Sequence, residues 1–261
     1  MKVKNKKIVV TGAGSGIGRE LTLQLTKKGA YVIAVDINEN NLNETIKLAN
    51  SSSIDTYVLD VSNKILIENF VRDCLSKHEY IDGLINNAGI IQPFTTVNEL
   101  DEITINRIMN VNFYGPLNLV QLFLPSLLKR KEGSIVNVSS MGGFFPFPKQ
   151  TIYGASKAAI KLFTEGLYAE LIDTNISVTV VFPGAIATNI AANSNVSVKT
   201  DGSASTYKMT SANKAASEII KAIEKKKFQL YIGSDSKMMN FMYKMSPKRA
   251  IKMISKKMKD L

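Results

Sequence analysis

The sequence has few of the side chains that build disulfides and metal sites. Its 261 residues include one cysteine, Cys74, and one histidine, His78. A single cysteine excludes an intrachain disulfide and favours a reducing compartment, so we expect a cytoplasmic protein. A single histidine argues against a histidine-based zinc site and against a Ser-His-Asp triad, and we predict no metal site.

Long apolar runs are also missing. No stretch approaches the ~18 apolar residues of a spanning helix, and no apolar segment of a signal peptide follows the basic N-terminus MKVKNKK. The net charge is +11, but residues 221–261 hold 12 Lys/Arg and 3 Asp/Glu, so the preceding 220 residues are nearly neutral. We therefore expect no nucleic-acid partner for the body of the protein.

Short β-rich runs alternate with helical patterns along the chain. Ile17, Leu21 and Leu25 recur every four residues before Gly29, which predicts an amphipathic helix with a glycine stop. The strand candidates are mostly continuous apolar runs, which favours strands covered on both faces. They span residues 7–12, 31–36, 54–61, 81–88, 133–140, 176–184 and 228–233.

This alternation predicts the α/β class. We expect a single doubly wound Rossmann-type domain over residues 1–233, with a parallel sheet of about seven strands flanked by helices on both faces. Residues 188–213 are rich in Ser, Asn and Thr and too long for an ordinary connection, which predicts a mobile lid, a binding loop or a disordered insert. Residues 234–261 form a basic amphipathic extension.

Four glycines follow the first strand candidate, in TGAGSGIG at residues 11–18. They miss the G-x-G-x-x-G fingerprint, because counting from Gly12 or from Gly14 leaves no glycine in the last slot. The first turn of a helix presents unpartnered N–H groups and a dipole that favours anions. We therefore expect a diphosphate cradle, with a flexible turn as the alternative, at Gly12, Ser15, Gly16, Ile17 and Gly18.

The second strand candidate ends in Asp36. A carboxylate there can accept hydrogen bonds from both ribose hydroxyls of an adenosine, and it repels a 2′-phosphate. No lysine or arginine is adjacent to Asp36 in the sequence or replaces Ala13. We therefore expect NAD as cofactor rather than NADP; a turn residue at a strand end is the alternative interpretation of Asp36.

Tyr153 and Lys157, in TIYGASKAA, stand four apart at the start of a helical segment and so share one face. A phenol normally titrates near ~10. A nearby ammonium group, together with a cationic nicotinamide, would favour the phenolate and lower that pKa. Tyr153 could then exchange a proton with an alcohol or alkoxide while hydride moves.

These motifs together resemble the short-chain dehydrogenase/reductase family. The resemblance rests on Gly12-x-x-x-Gly16-x-Gly18 after a strand, NNAG at 86–89, Tyr153-x-x-x-Lys157 and PG at 183–184, in that order across residues 6–232. The family pattern T-G-x-x-x-G-x-G accounts for the unusual glycine spacing. The resemblance implies an oxidoreductase that moves hydride between a nicotinamide cofactor and a secondary alcohol or ketone.

The resemblance also implies roles for individual residues. Ser140 would hydrogen-bond the substrate oxygen, with Ser139 as the alternative, and Tyr153 would be the general acid/base. Lys157 would hold the nicotinamide ribose and lower the pKa of the tyrosine. Asn112, rather than Asn110, would anchor a proton-relay water. Further cofactor contacts are implied at Asp60, Val61, Asn87, Ala88, Gly89, Pro183, Gly184 and Thr188.

In the family that the chain resembles, substrate specificity lies in the least constrained segments. Phe144, Phe145 and Phe147 fall between Ser140 and Tyr153, where the family lines its substrate pocket. If they do so here, together with Ser140 and Tyr153, the substrate is apolar and bulky: steroid-like, aromatic or long-chain. Packing within the protein or against another subunit is an equal alternative. The loop over 189–210, with Tyr207, would close over the substrate.

The extension 234–261 combines methionines with lysines at helical spacing, a cationic amphipathic pattern. It predicts either peripheral attachment to an anionic membrane or, as the favoured alternative, a helix packed on the protein with its lysines in water. The family resemblance implies a homodimer or homotetramer. Two functions from other classes stay open: a catalytically silent dinucleotide sensor and a membrane-associated scaffold.

Overall fold

The computed structural model describes residues 1–194, 196 and 209–258 of the chain. Its centre is a seven-stranded parallel sheet, as predicted, in the order β3-β2-β1-β4-β5-β6-β9. The strands of this sheet are β1 (Lys7–Thr11), β2 (Tyr31–Asp36), β3 (Ile54–Val58), β4 (Gly83–Asn86), β5 (Gly133–Val138), β6 (Ile176–Pro183) and β9 (Gln229–Ile232). The short strands β7 (Ile186–Ala187) and β8 (Thr210–Ser211) pair with each other.

Helices cover both faces of the sheet. In chain order they are α1 (Gly16–Lys27), α2 (Glu39–Ala49), α3 (Lys64–His78), α4 (Glu102–Met109), α5 (Gly115–Leu128), α6 (Thr151–Glu170), α7 (Ile190–Asn193), α8 (Ala212–Glu224), α9 (Ser234–Met245) and α10 (Pro247–Lys257). One hydrophobic cluster joins α1 and α8 to the sheet, and a second joins α3, α5 and α6 to the opposite face. This two-sided cover explains why the inner strands are continuous apolar runs, whereas the edge strand β3 is half-exposed.

The reversal of strand order next to β1 positions the site. β1 pairs with β2 on one side and with β4 on the other. In an open parallel sheet, the loops diverge at such a point and leave a crevice at the carboxyl ends of the strands. The glycine loop after β1 and the NNAG segment after β4 both border this crevice.

In the C-terminal extension, α9 begins at Ser234 and α10 begins at Pro247. Its helices are packed on the domain: Met239, Ala250 and Ile254 are buried with Phe145 in a third hydrophobic cluster. Among the described residues, no helix is both long and apolar enough to cross a membrane. Most of the predicted lid, including Tyr207, lies outside the described residues.

Candidate active site

A cleft of about 510 Å³ opens at the carboxyl ends of the central strands. Its size is typical of sites for small molecules and cofactors. Fifteen of the sequence-predicted cofactor residues line it, and so does Ser140. The fifteen are Gly12, Ser15, Gly16, Ile17, Asp36, Asp60, Val61, Asn87, Ala88, Gly89, Tyr153, Lys157, Pro183, Gly184 and Thr188.

The glycine loop is shaped so that only glycine fits at its key positions. Gly12 and Gly16 have φ of +68° and +52°, in the left-handed region that other residues rarely adopt. Gly18 does not line the cleft. A Cβ at Gly18 would lie 1.9 Å from the carbonyl oxygen of Gly12, so this glycine lets α1 approach the loop. Ser15, the N-cap of α1, makes no side-chain bond to the first turn, whose N–H groups face this cradle.

The Asp36 carboxylate is held in place by backbone donors. Its Oδ2 accepts from the Gly14 N–H at 2.8 Å, and its Oδ1 accepts from the Asn38 N–H at 2.9 Å. Arg19 is the nearby cation, but it donates to the Gly14 carbonyl and pairs with Glu44 at 2.6 Å. The cleft wall at the end of β2 therefore presents an oriented carboxylate, and the Arg19 guanidinium is engaged by Gly14 and Glu44.

The NNAG segment is hydrogen-bonded to Thr11, at the start of the glycine loop. The Thr11 hydroxyl accepts from the N–H groups of Asn87 and Ala88, both at 3.0 Å. The Asn87 amide donates to the Thr11 carbonyl at 3.0 Å. These bonds fix the two cleft walls that would flank an adenosine. Asp60 and Val61 line the same end of the cleft, just beyond β3.

Ser140, Tyr153 and Lys157 meet at the opposite end of the cleft. The Ser140 hydroxyl accepts from the Gly142 N–H at 3.0 Å and lies beside the Tyr153 ring. The Lys157 ammonium donates to the Val138 carbonyl at 3.0 Å. A Cβ on Gly89 would lie only 3.0 Å from Lys157 Nζ, so the ammonium packs closely against the NNAG segment.

The two serines after β5 have different surroundings. Ser139 is buried, and its hydroxyl donates to the Lys157 carbonyl at 2.6 Å. Ser140, in contrast, lines the cleft beside Tyr153. The geometry therefore favours Ser140 over Ser139 as the partner of a substrate oxygen.

Burial moves the pKa values of Tyr153 and Lys157 in opposite directions. It raises the pKa of the phenol, and only the hydrogen bond from Ser140 opposes this rise. It lowers the pKa of Lys157 to about 8, because desolvation disfavours the ammonium form. The predicted lowering of the tyrosine pKa is therefore not a property of the protein by itself: desolvation raises the pKa of Tyr153, and Lys157 is not among the groups that lower it.

Asn112 is fully buried and lies behind the cleft rather than in its lining. Its side chain accepts from the Ile90 N–H and donates to the Ile90 carbonyl, both at 2.9 Å, and it also donates to Ser156 at 3.0 Å. A single π-helical turn, Asn110–Tyr114, brings it there between α4 and α5. Such turns recur at functional sites. Here the amide side chain braces the loop after β4.

For Phe144, Phe145 and Phe147 the structure favours packing within the protein, the alternative to a substrate pocket. None of the three lines the cleft. Phe145 is fully buried against Phe147 and Tyr243, and Phe144 packs edge-on against Phe182 and Tyr231. The C-terminal helices cover this loop, so these rings form the core that holds the extension in place.

Sequence reasoning missed two residues that shape the site. Gln92 is buried and hydrogen-bonded to the first turn of α6. Asp235, in the first turn of α9, accepts from the Ala185 N–H at 2.6 Å and thereby holds the turn after Pro183. Neither residue belongs to a local motif, since each acts on a segment at least 50 positions away along the chain.

Comparison with known proteins matches this architecture. The short chain dehydrogenase family model matches residues 6–199. The 3-oxoacyl-(acyl-carrier-protein) reductase FabG of Thermotoga maritima is 40% identical over 190 residues, 72% of this chain and 77% of that protein. Dehydrogenase/reductase SDR family member 7B of Mus musculus is 35% identical over 237 residues, 86% of this chain and 72% of that protein.

Solved structures share the fold. A short chain dehydrogenase from Burkholderia cenocepacia, in complex with NADP, has a TM-score of 0.81 at 25% identity and covers 97% of this chain and 99% of its own. One from Burkholderia phymatum, in complex with NAD, has a TM-score of 0.80 at 24% identity, covering 88% and 90%.

The matched region holds the whole sheet up to β6 and the helix that carries Tyr153 and Lys157. The glycine cradle, whose positions 12 and 16 have positive φ, fits the diphosphate of a nicotinamide dinucleotide. From its fold, its cleft and its relatives, the chain is an oxidoreductase that belongs to the short-chain dehydrogenase family.

Proposed function

We propose that this protein transfers a hydride between a nicotinamide cofactor, preferentially NAD, and a secondary alcohol or ketone, with Tyr153 as general acid/base. The observation that carries the proposal is the meeting of Ser140, Tyr153 and Lys157 at one end of the cleft, with Asp36 at the other. In a dinucleotide lying along the cleft, the nicotinamide supplies or accepts the hydride.

The residues of the chain handle the proton and the substrate oxygen. Ser140 holds that oxygen beside the phenol, and Tyr153 donates a proton to it in reduction or removes one in oxidation. Lys157, near Gly89, is placed to bind the nicotinamide ribose. Its ammonium charge favours the phenolate, and a cationic nicotinamide adds to this effect against the desolvation that raises the pKa of Tyr153.

The Tyr153→Phe variant tests this role. We expect loss of nearly all turnover with cofactor binding retained, because the ring stays in place and only the hydroxyl is removed. Tyr168→Phe is the matched control on the same helix, since Tyr168 packs on Phe228 away from the cleft. Unchanged turnover in Tyr153→Phe would refute the assignment. A wild-type protein that binds cofactor but turns over no alcohol or ketone would support the dinucleotide sensor instead.

The preference for NAD rests on the oriented Asp36 carboxylate, which can accept from the ribose hydroxyls and repels a 2′-phosphate. Solved structures of this fold are in complex with NAD or with NADP, so the fold alone does not decide between the two cofactors. We expect Asp36→Ala to weaken NADH binding much more than NADPH binding, measured by cofactor fluorescence. Tighter binding of NADPH than NADH by the unmodified protein would contradict the proposal.

The substrate is proposed to have an apolar portion, because Ile91, Ile186 and Ile190 line the cleft. Phe144, Phe145 and Phe147 do not line the cleft, so they do not support the hypothesis of a bulky steroid-like, aromatic or long-chain substrate. A 3-oxoacyl thioester is the second candidate, since a relative that is 40% identical is a reductase named for such a substrate. A panel of cyclic alcohols and ketones, long-chain alcohols and 3-oxoacyl thioesters, followed at the nicotinamide absorbance band, separates these classes.

A homodimer or homotetramer is proposed from the exposed apolar side chains of α4 to α6. Ile103 and Leu162 are 81% and 69% exposed although they are aliphatic, and Tyr114 is also exposed nearby in the chain. A second copy would remove these side chains from water. Light scattering should show that Leu162→Arg lowers the assembly size. A monomeric wild-type protein at micromolar concentration would contradict the proposal.

Peripheral attachment to an anionic membrane is proposed for the extension. Lys237, Met238, Phe241, Lys244 and Met245 follow helical spacing along the exposed side of α9. Phe241 and Met245 are 65% and 72% exposed. Residues 236–258 carry seven lysines and arginines and no acidic residue. Two copies of this cationic face would repel each other. An anionic lipid surface, in contrast, attracts the lysines and arginines and buries the apolar side chains.

Vesicle co-sedimentation tests this attachment. We expect salt-sensitive binding to phosphatidylglycerol vesicles and none to phosphatidylcholine vesicles. The triple variant Met238→Ser, Phe241→Ser, Met245→Ser should lose it, while Ile172→Ser, at an exposed site elsewhere, should not. Surface substitutions are preferable to truncation because the extension shares a buried cluster with Phe145. Equal binding by the triple variant and the wild type, or binding to nucleic acid but not to vesicles, would overturn the proposal.

A further inference from the structure

Gln92 is a fully buried residue in the loop after β4, and it is hydrogen-bonded to the start of α6. Its Oε1 accepts from the N–H groups of Ile152 and Tyr153, at 2.7 and 3.0 Å. Its Nε2 donates to the Lys149 carbonyl at 2.9 Å, and its own carbonyl accepts from Gln150 Nε2 at 2.9 Å. One residue therefore holds both the first turn of α6 and the two residues before it.

The start of α6 has little support of its own. The N-cap residue, Gln150, makes no side-chain bond to the first turn. Lys149 has a φ of +61°, in the left-handed region that a non-glycine residue rarely adopts. The first N–H groups of a helix have no partner within the helix. At α6 two of them are satisfied by a side chain 60 positions away along the chain.

The loop that carries Gln92 is itself fixed. Asn112 is bonded to both the N–H and the carbonyl of Ile90, at 2.9 Å each. The same Asn112 amide donates to Ser156, whose hydroxyl donates to the Tyr153 carbonyl at 2.7 Å. The backbone of Tyr153 is therefore tied on both sides: its N–H to Gln92, and its carbonyl to Asn112 through Ser156.

We propose that Gln92 is a positioning residue for the reaction, which sets the Tyr153 phenol against Ser140 by fixing the first turn of α6. Gln92 is not among the residues that line the cleft in the described part of the chain, so it acts through Tyr153 and not on the cofactor. This inference rests on the proposed acid/base role of Tyr153.

The Gln92→Met variant removes the acceptor at nearly constant volume. We expect kcat to fall by about 10- to 100-fold, because a displacement of about 1 Å at a reacting group can cost that much. The dissociation constant for NADH, from fluorescence, should stay within about twofold, since the cofactor contacts are untouched. Asn63→Ala is the matched control, because it also removes a side-chain acceptor at the start of a helix. Asn63 caps α3 by accepting from the Leu66 N–H at 3.2 Å, and α3 is distant from α6 along the chain. This control variant should leave kcat unchanged.

Two further variants keep the test decisive if Gln92→Met does not fold. Gln92→Asn withdraws the same amide by one methylene and should also lower kcat. Gln92→Glu keeps an acceptor for both N–H groups but loses the donor to the Lys149 carbonyl, so its kcat should lie between those of Gln92→Asn and the wild type. Equal kcat in wild type and Gln92→Asn would overturn the inference. The inference would also be overturned if kcat fell only in proportion to the fraction of protein that still binds NADH. Such a result would mean that Gln92 contributes to folding and not to the position of Tyr153. Retained turnover in Tyr153→Phe would instead refute the proposed function.

Discussion

The burial of Lys157 predicts a specific pH dependence of stability. Desolvation lowers its pKa from 10.5 in an unfolded chain to about 8 in the folded protein. Below pH 8 both states carry the proton. Between pH 8 and 10.5 only the unfolded chain carries it, so the free energy of unfolding rises with pH. The contribution reaches about 2 kcal/mol at pH 9.5, since the free energy of unfolding rises by about 1.36 kcal/mol for each pH unit above the folded-state pKa.

Urea denaturation of the cofactor-free protein between pH 7.5 and 9.5 measures this rise. The Lys157 contribution is read as the difference between the wild type and Lys157→Met, because the raised pKa of Cys74 makes the stability of both proteins fall above about pH 9. The range stops below 10 because burial raises the pKa of Tyr153, and the folded state then keeps a proton that the unfolded chain loses. That group makes stability fall as pH rises further. Lys157→Met has no titrating group at this site, so its stability should gain about 2 kcal/mol less than the wild type across the range.

The matched control is Lys161→Met. Lys161 lies one turn further along the same helix and pairs with Glu165 at 2.9 Å near the surface. Its variant should follow the pH dependence of the wild type. Parallel curves for the wild type and Lys157→Met would refute the claim that Lys157 is desolvated in the folded protein.

Three further outcomes are expected. Gly18→Ala should fold poorly and lose cofactor binding, assayed by thermal melting and NADH fluorescence, because its Cβ would lie 1.9 Å from the Gly12 carbonyl oxygen; normal melting would contradict this. Cys74, whose pKa burial raises to about 12, should resist iodoacetamide at pH 8 until denaturant is added, as mass spectrometry would show. Asn112→Asp keeps the acceptor for the Ile90 N–H but loses both donated bonds. Urea denaturation should therefore show that the free energy of unfolding falls by about 1–3 kcal/mol. An unchanged midpoint would mean that these bonds do not contribute to stability.

Much of the fold could be predicted because its signals are local. Mostly apolar runs, which form strands of four to eight residues, alternate with amphipathic segments such as the one containing Leu21 and Leu25. This alternation indicates covered parallel strands and surface helices. The parallel sheet and its crossovers then place the ends of β1 and β4 side by side. The observed strands β3 and β4 are shorter than predicted, so Asp60 and Val61 follow β3 rather than end it.

The substrate side could not be predicted because it depends on which distant segments pack together. Three phenylalanines between Ser140 and Tyr153 fit a pocket wall or a core equally well in the sequence. The decision came from α9 and α10, which cover Phe145 and remove it from the cleft.

The sequence by itself determined the fold class, the cofactor loop and the acid/base candidates, because each depends on spacing within a few residues: Gly12 to Gly18, and Tyr153 to Lys157. Only the tertiary structure decided how those groups are held and charged. The support of Tyr153 comes from Gln92, and the lowered pKa of Lys157 comes from burial by segments remote in the chain. Burial and hydrogen-bond partners depend on contacts between segments that are distant in the chain, and a local sequence pattern does not specify these contacts.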